Sequence, residues 1–274
     1  MRFAQITDLH IKPPGELAYG KVDTAHFLNL AIDELNALGE QLDAILITGD
    51  LVDGGKPEEY RYLRSCLSRL QVPFYLMVGN HDAREALRAE FPDHAYLNDG
   101  GTYVQYAVDV GPLRIIALDS IIEGASAGTL CDERLAWLDT ELQQSRDRPV
   151  VVALHHPPFS TAVADLDGIL LDPEAARQLA ALIQTHPNVE RVISGHLHRT
   201  LYARFGGTIA STCPATAHQV ALDLRENAAP AFIMEPPAYA LHLWEPASGL
   251  VTHHVYLAKY DGPYLYGADN ASLS

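Results

Sequence analysis

Short apolar runs that end at polar clusters recur along the chain and predict buried strands. Five such runs stand immediately before a cluster of polar residues. They cover residues 3–6, 44–47, 74–78, 150–154 and 192–193. Runs of this length bounded by turn residues are typical of strands in the interior of a sheet. The polar clusters therefore lie at strand ends, where open α/β sheets bind ligands.

Apolar residues at helical spacing predict four helices between these strands. Residues 27–38 place Phe27, Ala31, Leu35 and Leu38 on one face. The other helices are predicted over residues 57–70, 132–145 and 173–185, the last with Asp172 as its N-cap. Alternating strands and helices favour α/β layers. We expect an α/β two-sheet sandwich (α-β-β-α) flanked by helices, with a metal site at the carboxyl ends of the strands.

The last quarter of the chain has a different pattern. Residues 239–244 and 250–257 predict a hairpin, helical patterns are scarce after residue 200, and the proline-containing stretch 222–238 predicts a long loop. We expect a second, more antiparallel sheet packed on the first layer. The predicted organisation is one catalytic domain over residues 1–257, with a β-rich part from 199 that makes cap or oligomer contacts, and an aromatic tail over 258–274.

Composition narrows the class of protein. The chain has 274 residues, of which 48% are hydrophobic, and no apolar run reaches the ~18 residues of a membrane helix. We expect no signal peptide and no membrane contact. Three widely spaced cysteines predict reduced thiols and a cytoplasmic protein.

The net charge of −16 argues against a long nucleic-acid partner, because an acidic surface repels a polyanion. A small anionic substrate is still compatible with this negative net charge if the site carries metal ions. Two divalent ions offset by two aspartates leave about +2, and a hydroxide lowers this to about +1.

The polar clusters contain only carboxylate, amide and imidazole donors, a set that suits two hydrolytic metal ions. Asp8 and His10 are two residues apart at a strand end, as are His196 and His198, so each pair is expected to face one ion. A single pair of this kind arises by chance in solvated loops. The joint occurrence after five strands is what predicts a metal centre.

Further donors come from the middle of the chain. Asp50 follows Gly49 at a strand end, and its two carboxylate oxygens can bridge two ions. Asn80 offers a neutral oxygen to the second ion, and Gly79 permits the turn that directs it.

The ordered set Asp-x-His, Gly-Asp-x-x-Asp, Gly-Asn-His-Asp, His-His and Gly-His-x-His resembles the calcineurin-like metallophosphoesterases. These motifs cover residues 8–198. Within that superfamily the chain is similar to the bacterial class III cyclic nucleotide phosphodiesterases and, more closely, to the glycerophosphodiesterases of that group. The closer similarity rests on residues 17–20, 57–60, 217–219 and 260–266, and it extends over nearly the whole chain.

The resemblance implies which of two metal ions each residue would bind. Asp8, His10 and His198 would bind the first ion, Asp50 would bridge, and the second ion would take the remaining ligands, namely Asn80, His155 and His196. The ions would be divalent iron, manganese, zinc or cobalt.

Other residues of the motifs are expected to act around the ions. Asp53, Asp82 and His156 would orient ligands, since metal-bound imidazoles need an acceptor on the other nitrogen. Asp119 is expected to be structural. His81, next to Asn80, would touch a phosphoryl oxygen or the leaving group.

Tyr19 and His218 are substrate-pocket residues by resemblance alone, and a packed ring and a surface histidine are their alternatives.

The activity that follows is hydrolysis of small phosphodiesters by a hydroxide held between two ions. Glycerophosphodiesters and 3′,5′-cyclic nucleotides are both credible substrates. The alternatives are a phosphomonoesterase or nuclease on the same scaffold, and a non-catalytic scaffold protein. The expected partners are a small phosphodiester and further copies of the chain in a homo-oligomer, a dimer or larger.

Overall fold

The computed structural model describes residues 1–225 and 228–266. Six α-helices lie within them: α1 (Thr24–Leu38), α2 (Pro57–Leu67), α3 (Arg84–Glu90), α4 (Asp132–Gln144), α5 (Ala164–Asp167) and α6 (Pro173–Gln184). Two short 3₁₀ turns cover Gly39–Gln41 and Ala95–Asn98.

Thirteen strands are distributed along the described chain. They are β1 (Arg2–Ile6), β2 (Ala44–Ile47), β3 (Phe74–Leu76), β4 (Tyr106–Val110), β5 (Leu113–Leu118), β6 (Val150–Leu154), β7 (Val189–Ser194), β8 (Tyr202–Phe205), β9 (Thr208–Thr212), β10 (Gln219–Val220), β11 (Phe232–Ile233), β12 (Ala238–Glu245) and β13 (Gly249–Tyr256).

The strands form two large sheets and one small one. The first sheet has the order β13-β12-β1-β2-β3, and the second has the order β4-β5-β6-β7-β9-β8. Parallel pairing joins β1, β2 and β3 in the first sheet and β5, β6, β7 and β9 in the second. The carboxyl ends of these parallel strands carry the polar clusters. β10 and β11 pair separately as a two-stranded antiparallel sheet.

Alternating residues of the central strands pack on opposite sides, which explains why β2 and β6 are apolar throughout. Ala4 and Ile6 belong to the core between the first sheet and helices α1 and α2, whereas Phe3 belongs to the core between the two sheets. Strand β6 is divided in the same way. Val152 packs on the helix side with α4 and α6, and Val151 packs between the two sheets. The predicted α-β-β-α sandwich is confirmed.

The helix predictions from periodicity are close to the observed elements. The first helix begins at Thr24 rather than at residue 27, and the second ends at Leu67 rather than at residue 70. Asp172 caps α6 as predicted, because its side chain accepts hydrogen bonds from the backbone N–H groups of Glu174 and Ala175. The short helix α3 and strand β4 were not predicted.

The prediction for the last quarter of the chain is wrong in its sheet assignment. The hairpin of β12 and β13 does form, but β12 pairs antiparallel with β1 and so completes the first sheet. The β-rich part supplies β8 and β9 to the second sheet. Each sheet therefore combines strands from residues 1–198 with strands from the β-rich part that begins at residue 199.

The stretch predicted as a loop, 222–238, also differs, because it contains β11 paired with β10. Residues 226–227 of that stretch lie outside the described residues, as do residues 267–274 of the predicted aromatic tail. Over the described ranges, no helix combines the length and the apolar composition that a membrane crossing needs.

Candidate metal centre

The segments that follow β1, β2, β3, β6 and β7 converge at one edge of the two sheets. They bring all seven predicted ligands together. Six of these are buried, and Asn80 is half-buried; the buried ones are Asp8, His10, Asp50, His155, His196 and His198. Buried carboxylates and imidazoles in contact with one another are costly unless something compensates their charge and polarity. The converging residues offer ligand atoms close enough together to hold a metal ion.

The way in which the pairs converge differs from the prediction. Asp8 and His10 do not continue β1 as strand residues, since β1 ends at Ile6. Both have left-handed backbone conformations, with φ of 54° and 43°, and His196 and His198 repeat this with φ of 71° and 47°. Asp8 and His10 meet because the backbone turns at both residues, not because of strand alternation. The prediction that His196 and His198 face one ion is wrong, because His198 groups with Asp8 and His10, whereas His196 groups with His155.

The first cluster contains Asp8, His10 and His198. The His10 and His198 Nε2 atoms are 3.2 Å apart, and His198 Nε2 lies 3.4 Å from Asp8 Oδ1. All three offer ligand atoms within 4.8 Å of one another, a spacing that suits one metal ion.

The second cluster is formed around His155. Its Nε2 lies 3.3 Å from Asp50 Oδ2 and 3.3 Å from Asn80 Oδ1. The His196 ring lies 5.0 Å from the His155 ring. Asp50 Oδ2 is also 3.7 Å from His10 Nε2, so one carboxylate oxygen lies between the two clusters.

Backbone carbonyls fix the orientation of three of the imidazoles. His155 Nδ1 lies 2.8 Å from Thr48 O, and His198 Nδ1 lies 3.0 Å from His218 O. In both rings the Nδ1–H donates, which leaves Nε2 to face the site. His196 is reversed, because its Nε2 lies 2.9 Å from Ile169 O and its Nδ1 is left free to bind.

Of the residues predicted to orient ligands, Asp53 lies nearest to an imidazole. Its Oδ1 is 3.4 Å from His10 Nδ1, and Lys12 Nζ lies 2.7 Å from Oδ2. Asp82 contacts no ligand ring. It accepts hydrogen bonds from the backbone of Leu51 and Gly79, and so holds the two ligand loops together.

His156 and Asp119 also have defined contacts. His156 Nδ1 hydrogen-bonds Ser120 Oγ at 2.8 Å, and its ring lies 4.7 Å from the His196 ring. A ligand atom of His156 falls within the same 4.8 Å group as atoms of His155 and His196. Asp119 pairs with Arg84 at 2.7 Å and contacts none of the predicted ligands.

Two glycines are required by close approach at this edge. A methyl group on Gly79 would collide with Asp50 Oδ1 and lie 2.7 Å from His155 Cε1. One on Gly195 would collide with Thr7 Oγ1 and lie 2.9 Å from Asp8 Oδ2. Glycine at both positions lets the loops come close enough for the ligands to meet.

The charged groups of the centre shift one another's pKa in the metal-free chain. Burial alone would raise the pKa of Asp8, but His198 outweighs it and lowers that pKa to about 2. Burial likewise opposes ionisation of Asp50, yet His155 and His10 bring its pKa well below the usual range. Burial lowers the pKa of His155, but Asp50 raises it more strongly, to about 9.

The donor set fits a pair of divalent ions. Both carboxylates are ionised at neutral pH, and each predicted imidazole ligand keeps one nitrogen directed into the site. Oxygen and nitrogen donors of this kind suit first-row metals in hydrolytic enzymes. The assignment of individual ligands to two ions stays a prediction.

His81 lies beside this centre. Its backbone N–H donates to Asp50 Oδ1 at 2.9 Å, and its Nδ1 lies 2.7 Å from Asp53 O. Burial lowers the pKa of His81, but Asp50 and Asp53 outweigh this effect and raise it above its usual value. Its side chain is 35% exposed, so it can meet a substrate.

A cavity of about 550 Å³ opens over the ligands. Tyr19 and His218 both line it, and the backbone carbonyl of His218 additionally orients His198. Phe232, which the sequence did not suggest, stacks on Tyr19 with ring centroids 5.0 Å apart. No motif distinguishes Phe232, because it lies in the stretch predicted as a loop.

Metal binding should release protons. Below its pKa of about 9, His155 in the metal-free protein is protonated, whereas a metal ion binds only the neutral ring. The apparent affinity for Mn²⁺ should therefore rise with pH up to about 9 and then level off. Calorimetric titration at pH 7 in buffers of different ionisation enthalpy measures the proton released. Binding without release would show that His155 is already neutral.

Substitution of the shared carboxylate should affect both ions. We expect Asp50→Ala to lose both metals and His10→Ala to lose mainly one, because Asp50 Oδ2 lies between the clusters, whereas His10 belongs to the first cluster. Elemental analysis of the purified variants, with His26→Ala as an exposed control, measures this. Equal metal retention in the Asp50 and His10 variants would refute the bridging role.

Comparisons with known sequences find related phosphoesterases. A sequence model of the family "calcineurin-like phosphoesterase" matches residues 1–200. A probable glycerophosphodiester phosphodiesterase GpdQ of Arcobacter nitrofigilis is 38% identical over 273 residues, which is 100% of this chain and 99% of that protein. The 3′,5′-cyclic adenosine monophosphate phosphodiesterase CpdA of Pseudomonas aeruginosa is 29% identical over 79% of this chain and 76% of its own length.

Solved structures share the fold. A dimetal phosphatase from Danio rerio has a TM-score of 0.64 at 15% identity, and the alignment covers 94% of this chain and 99% of that chain. The family-model match extends over most of the chain and includes the five segments that form the centre. The chain therefore belongs to the calcineurin-like phosphoesterase family.

Proposed function

We propose that this protein is a phosphodiesterase that uses two divalent metal ions to hydrolyse small phosphodiesters. The observation that supports this most directly is the position of Asp50. Its Oδ2 lies 3.7 Å from His10 and 3.3 Å from His155, one in each cluster. A carboxylate shared in this way suits two neighbouring ions. Asp8, His10 and His198 would hold the first, and Asn80, His155 and His196 the second.

The proposed cofactors are iron, manganese, zinc or cobalt. Two such ions, when bound, would supply Lewis acidity toward phosphoryl oxygens and an activated water at neutral pH. The chain itself contributes position and charge, which do most of the work in phosphoryl transfer.

His81 is the proposed proton donor. Its Nδ1–H is engaged with Asp53 O, so the other ring nitrogen is available to the cavity. Because the pKa of His81 is raised, this nitrogen keeps its proton up to a higher pH. His81 would therefore hydrogen-bond the reacting phosphoryl group or protonate the departing alkoxide, while Asn80 binds both an ion and the substrate.

The charge around the cavity favours a diester. None of the described residues that line it is a lysine or an arginine, and Asp165 and Asp223 lie on its wall. The phosphate charge would be balanced almost entirely by the ions, which with Asp8 and Asp50 leave only a small positive charge. A diester carries one negative charge where a monoester carries nearly two, so it matches this site better.

Two substrate classes remain candidates. Relatives that cover nearly the whole chain are named for glycerophosphodiesters, in Arcobacter nitrofigilis and in Enterobacter lignolyticus at 33% identity, and for cyclic nucleotides, in Rhodopseudomonas palustris at 34% identity. The cavity would hold the second ester group of either substrate, and Tyr19 and His218, which line the cavity, would contact that group. A phosphomonoesterase or nuclease fits the charge less well.

We also propose a single catalytic domain over residues 1–257, a cytoplasmic location and a homo-oligomer. The free state of all three cysteines supports a reducing compartment. The exposed rings of Tyr260, Tyr264 and Tyr266 support contact with another copy of the chain, since exposed aromatic residues mark interfaces.

Substrate preference tests the proposed activity. We expect kcat/KM on an aryl phosphodiester to exceed that on the matching aryl monoester by about tenfold or more, which corresponds to about 1.4 kcal/mol of transition-state stabilisation. Both substrates should be measured with the protein reloaded with Mn²⁺, and a chelator should abolish both activities. A clear monoester preference would reverse the assignment.

The His81→Ala variant tests the proton donor. Because a positioned acid contributes ~10²–10⁴ in rate, turnover should fall by about that factor on a glycerol or nucleoside diester. The loss should be much smaller on a nitrophenyl diester, whose leaving group needs no proton. His26→Ala serves as a control, and metal content must match the unchanged protein. Equal losses on both substrates would leave His81 a binding role only.

A further inference from the structure

Gln5 is a buried polar residue between the two sheets, below the candidate metal centre. It lies on β1, on the same face as Phe3, which belongs to the core between the sheets, and it is 1% exposed. Its amide nitrogen donates to Thr48 Oγ1 at 3.1 Å and to Ser194 O at 3.0 Å. A backbone carbonyl can only accept, so the contact with Ser194 O fixes which end of the amide carries the nitrogen.

The two groups that Gln5 holds stand directly before ligand segments of the second cluster. Thr48 follows β2 in the first sheet, and its carbonyl oxygen lies 2.8 Å from His155 Nδ1. Ser194 is the last residue of β7 in the second sheet and stands two positions before His196. Gln5 therefore joins the two sheets at the points that orient His155 and carry His196.

A chain of hydrogen bonds holds the Gln5 amide from its other side. Gln5 Oε1 lies 3.2 Å from His242 Nε2, which must donate to it. Burial, reinforced by Arg191, lowers the pKa of His242 to about 3, so the ring is neutral and its Nδ1 accepts. Thr252 Oγ1 donates to that Nδ1 at 2.9 Å and accepts from Arg191 Nη1 at 3.2 Å. Each member thus has one permitted direction, and the Gln5 amide cannot turn over.

We propose that Gln5 is a positioning residue for the second metal ion. The inference rests on the proposed function, which places two ions in this centre. Its two donated hydrogen bonds hold the end of β2 against the end of β7, and so set the distance between His155 and His196. Since a metal ion requires its ligands at defined distances, this spacing should determine how tightly the second ion binds.

The first ion should depend on Gln5 much less, because other groups orient its ligands. His198 Nδ1 is held by the carbonyl oxygen of His218 at 3.0 Å. His10 Nδ1 lies 3.4 Å from Asp53 Oδ1. The proposal therefore predicts a selective effect on one of the two ions, whereas general loosening of the fold would weaken both.

Gln5→Leu tests the proposal, because it keeps a similar volume and removes all three hydrogen bonds of the side chain. Loss of a group that orients metal ligands typically costs about 10–100-fold in metal affinity. In calorimetric titrations of the full-length protein with Mn²⁺, one ion should lose affinity by about that factor and the other should keep it. Saturating Mn²⁺ should restore phosphodiesterase activity.

Electron paramagnetic resonance identifies the ion that is lost. The spectrum of a spin-coupled Mn²⁺ pair should disappear in Gln5→Leu at limiting metal. The spectrum that remains should match that of Asn80→Ala, which removes a proposed ligand of the second ion, and differ from that of His10→Ala. Val151→Ala is the matched control, because Val151 packs in the same layer between the sheets and should keep both ions.

Thr48→Val is a gentler variant that removes only the hydroxyl that Gln5 contacts, and it decides the question if Gln5→Leu does not fold. It should weaken the same ion. In the double variant the two losses should not add, because both changes break one hydrogen bond.

Three results would overturn the proposal: unchanged affinity for the second ion in Gln5→Leu or in Thr48→Val, equal loss of both ions, or the same loss in Val151→Ala. Each of these leaves the proposed function intact, provided that the unchanged protein binds two Mn²⁺ ions. Binding of fewer than two ions by the unchanged protein would overturn the proposed function and this inference together.

Discussion

The left-handed backbone at the sheet edge is the constraint on which the rest of the structure depends. Five of the seven predicted ligands have a φ between 43° and 71°. This conformation costs a residue with a side chain about 1–2 kcal/mol. The conformation persists because the aspartates accept hydrogen bonds from backbone N–H groups of neighbouring segments. The His196 N–H donates to Asp8, and the His81 N–H donates to Asp50. The two carboxylates therefore hold the backbone of the candidate metal centre in place.

The rigid part of the molecule explains how such strain is tolerated. The strands that carry the ligand segments are buried on both faces, between the two sheets and under the helices. Their ends cannot relax without disturbing packed side chains on both sides. Strain at functional sites persists where the surroundings over-determine it. A packed sandwich of two sheets with parallel central strands meets that condition for the segments after β1, β2 and β7, which contain the left-handed residues.

The sequence indicated the central strands well because burial on both faces makes them continuous apolar runs. Residues 150–154 were predicted with the observed bounds of β6. The candidate ligand residues were identified for a related reason, since polar residues directly after such runs are conspicuous. The partners of β1 could not be predicted, because apolar alternation in β12 shows that it is a strand but not which strand it pairs with.

The groups that orient the candidate ligands were harder to predict than the convergence of these ligands at one site. Three of the imidazoles are oriented by the carbonyls of Thr48, Ile169 and His218, and every residue has a carbonyl. The residue type therefore does not show which backbone carbonyl will orient an imidazole. Asp82 was expected beside an imidazole and instead holds backbone N–H groups, because its side chain is directed into the turn of its own loop. Phe232 lines the cavity because β11 pairs with β10. A strand of two residues has too little sequence pattern for this pairing to be predicted.

The pairing of β1 with β12 has a consequence for synthesis of the chain. One edge of β1 is covered early by β2, about 40 residues later, but the other edge waits for β12, which begins at Ala238. Until nearly the whole chain has left the ribosome, β1 presents an unpaired edge. Exposed strand edges are templates for aggregation. A ribosome-bound nascent chain thus carries a vulnerability that the finished molecule lacks, and the C-terminal hairpin is the element that removes it.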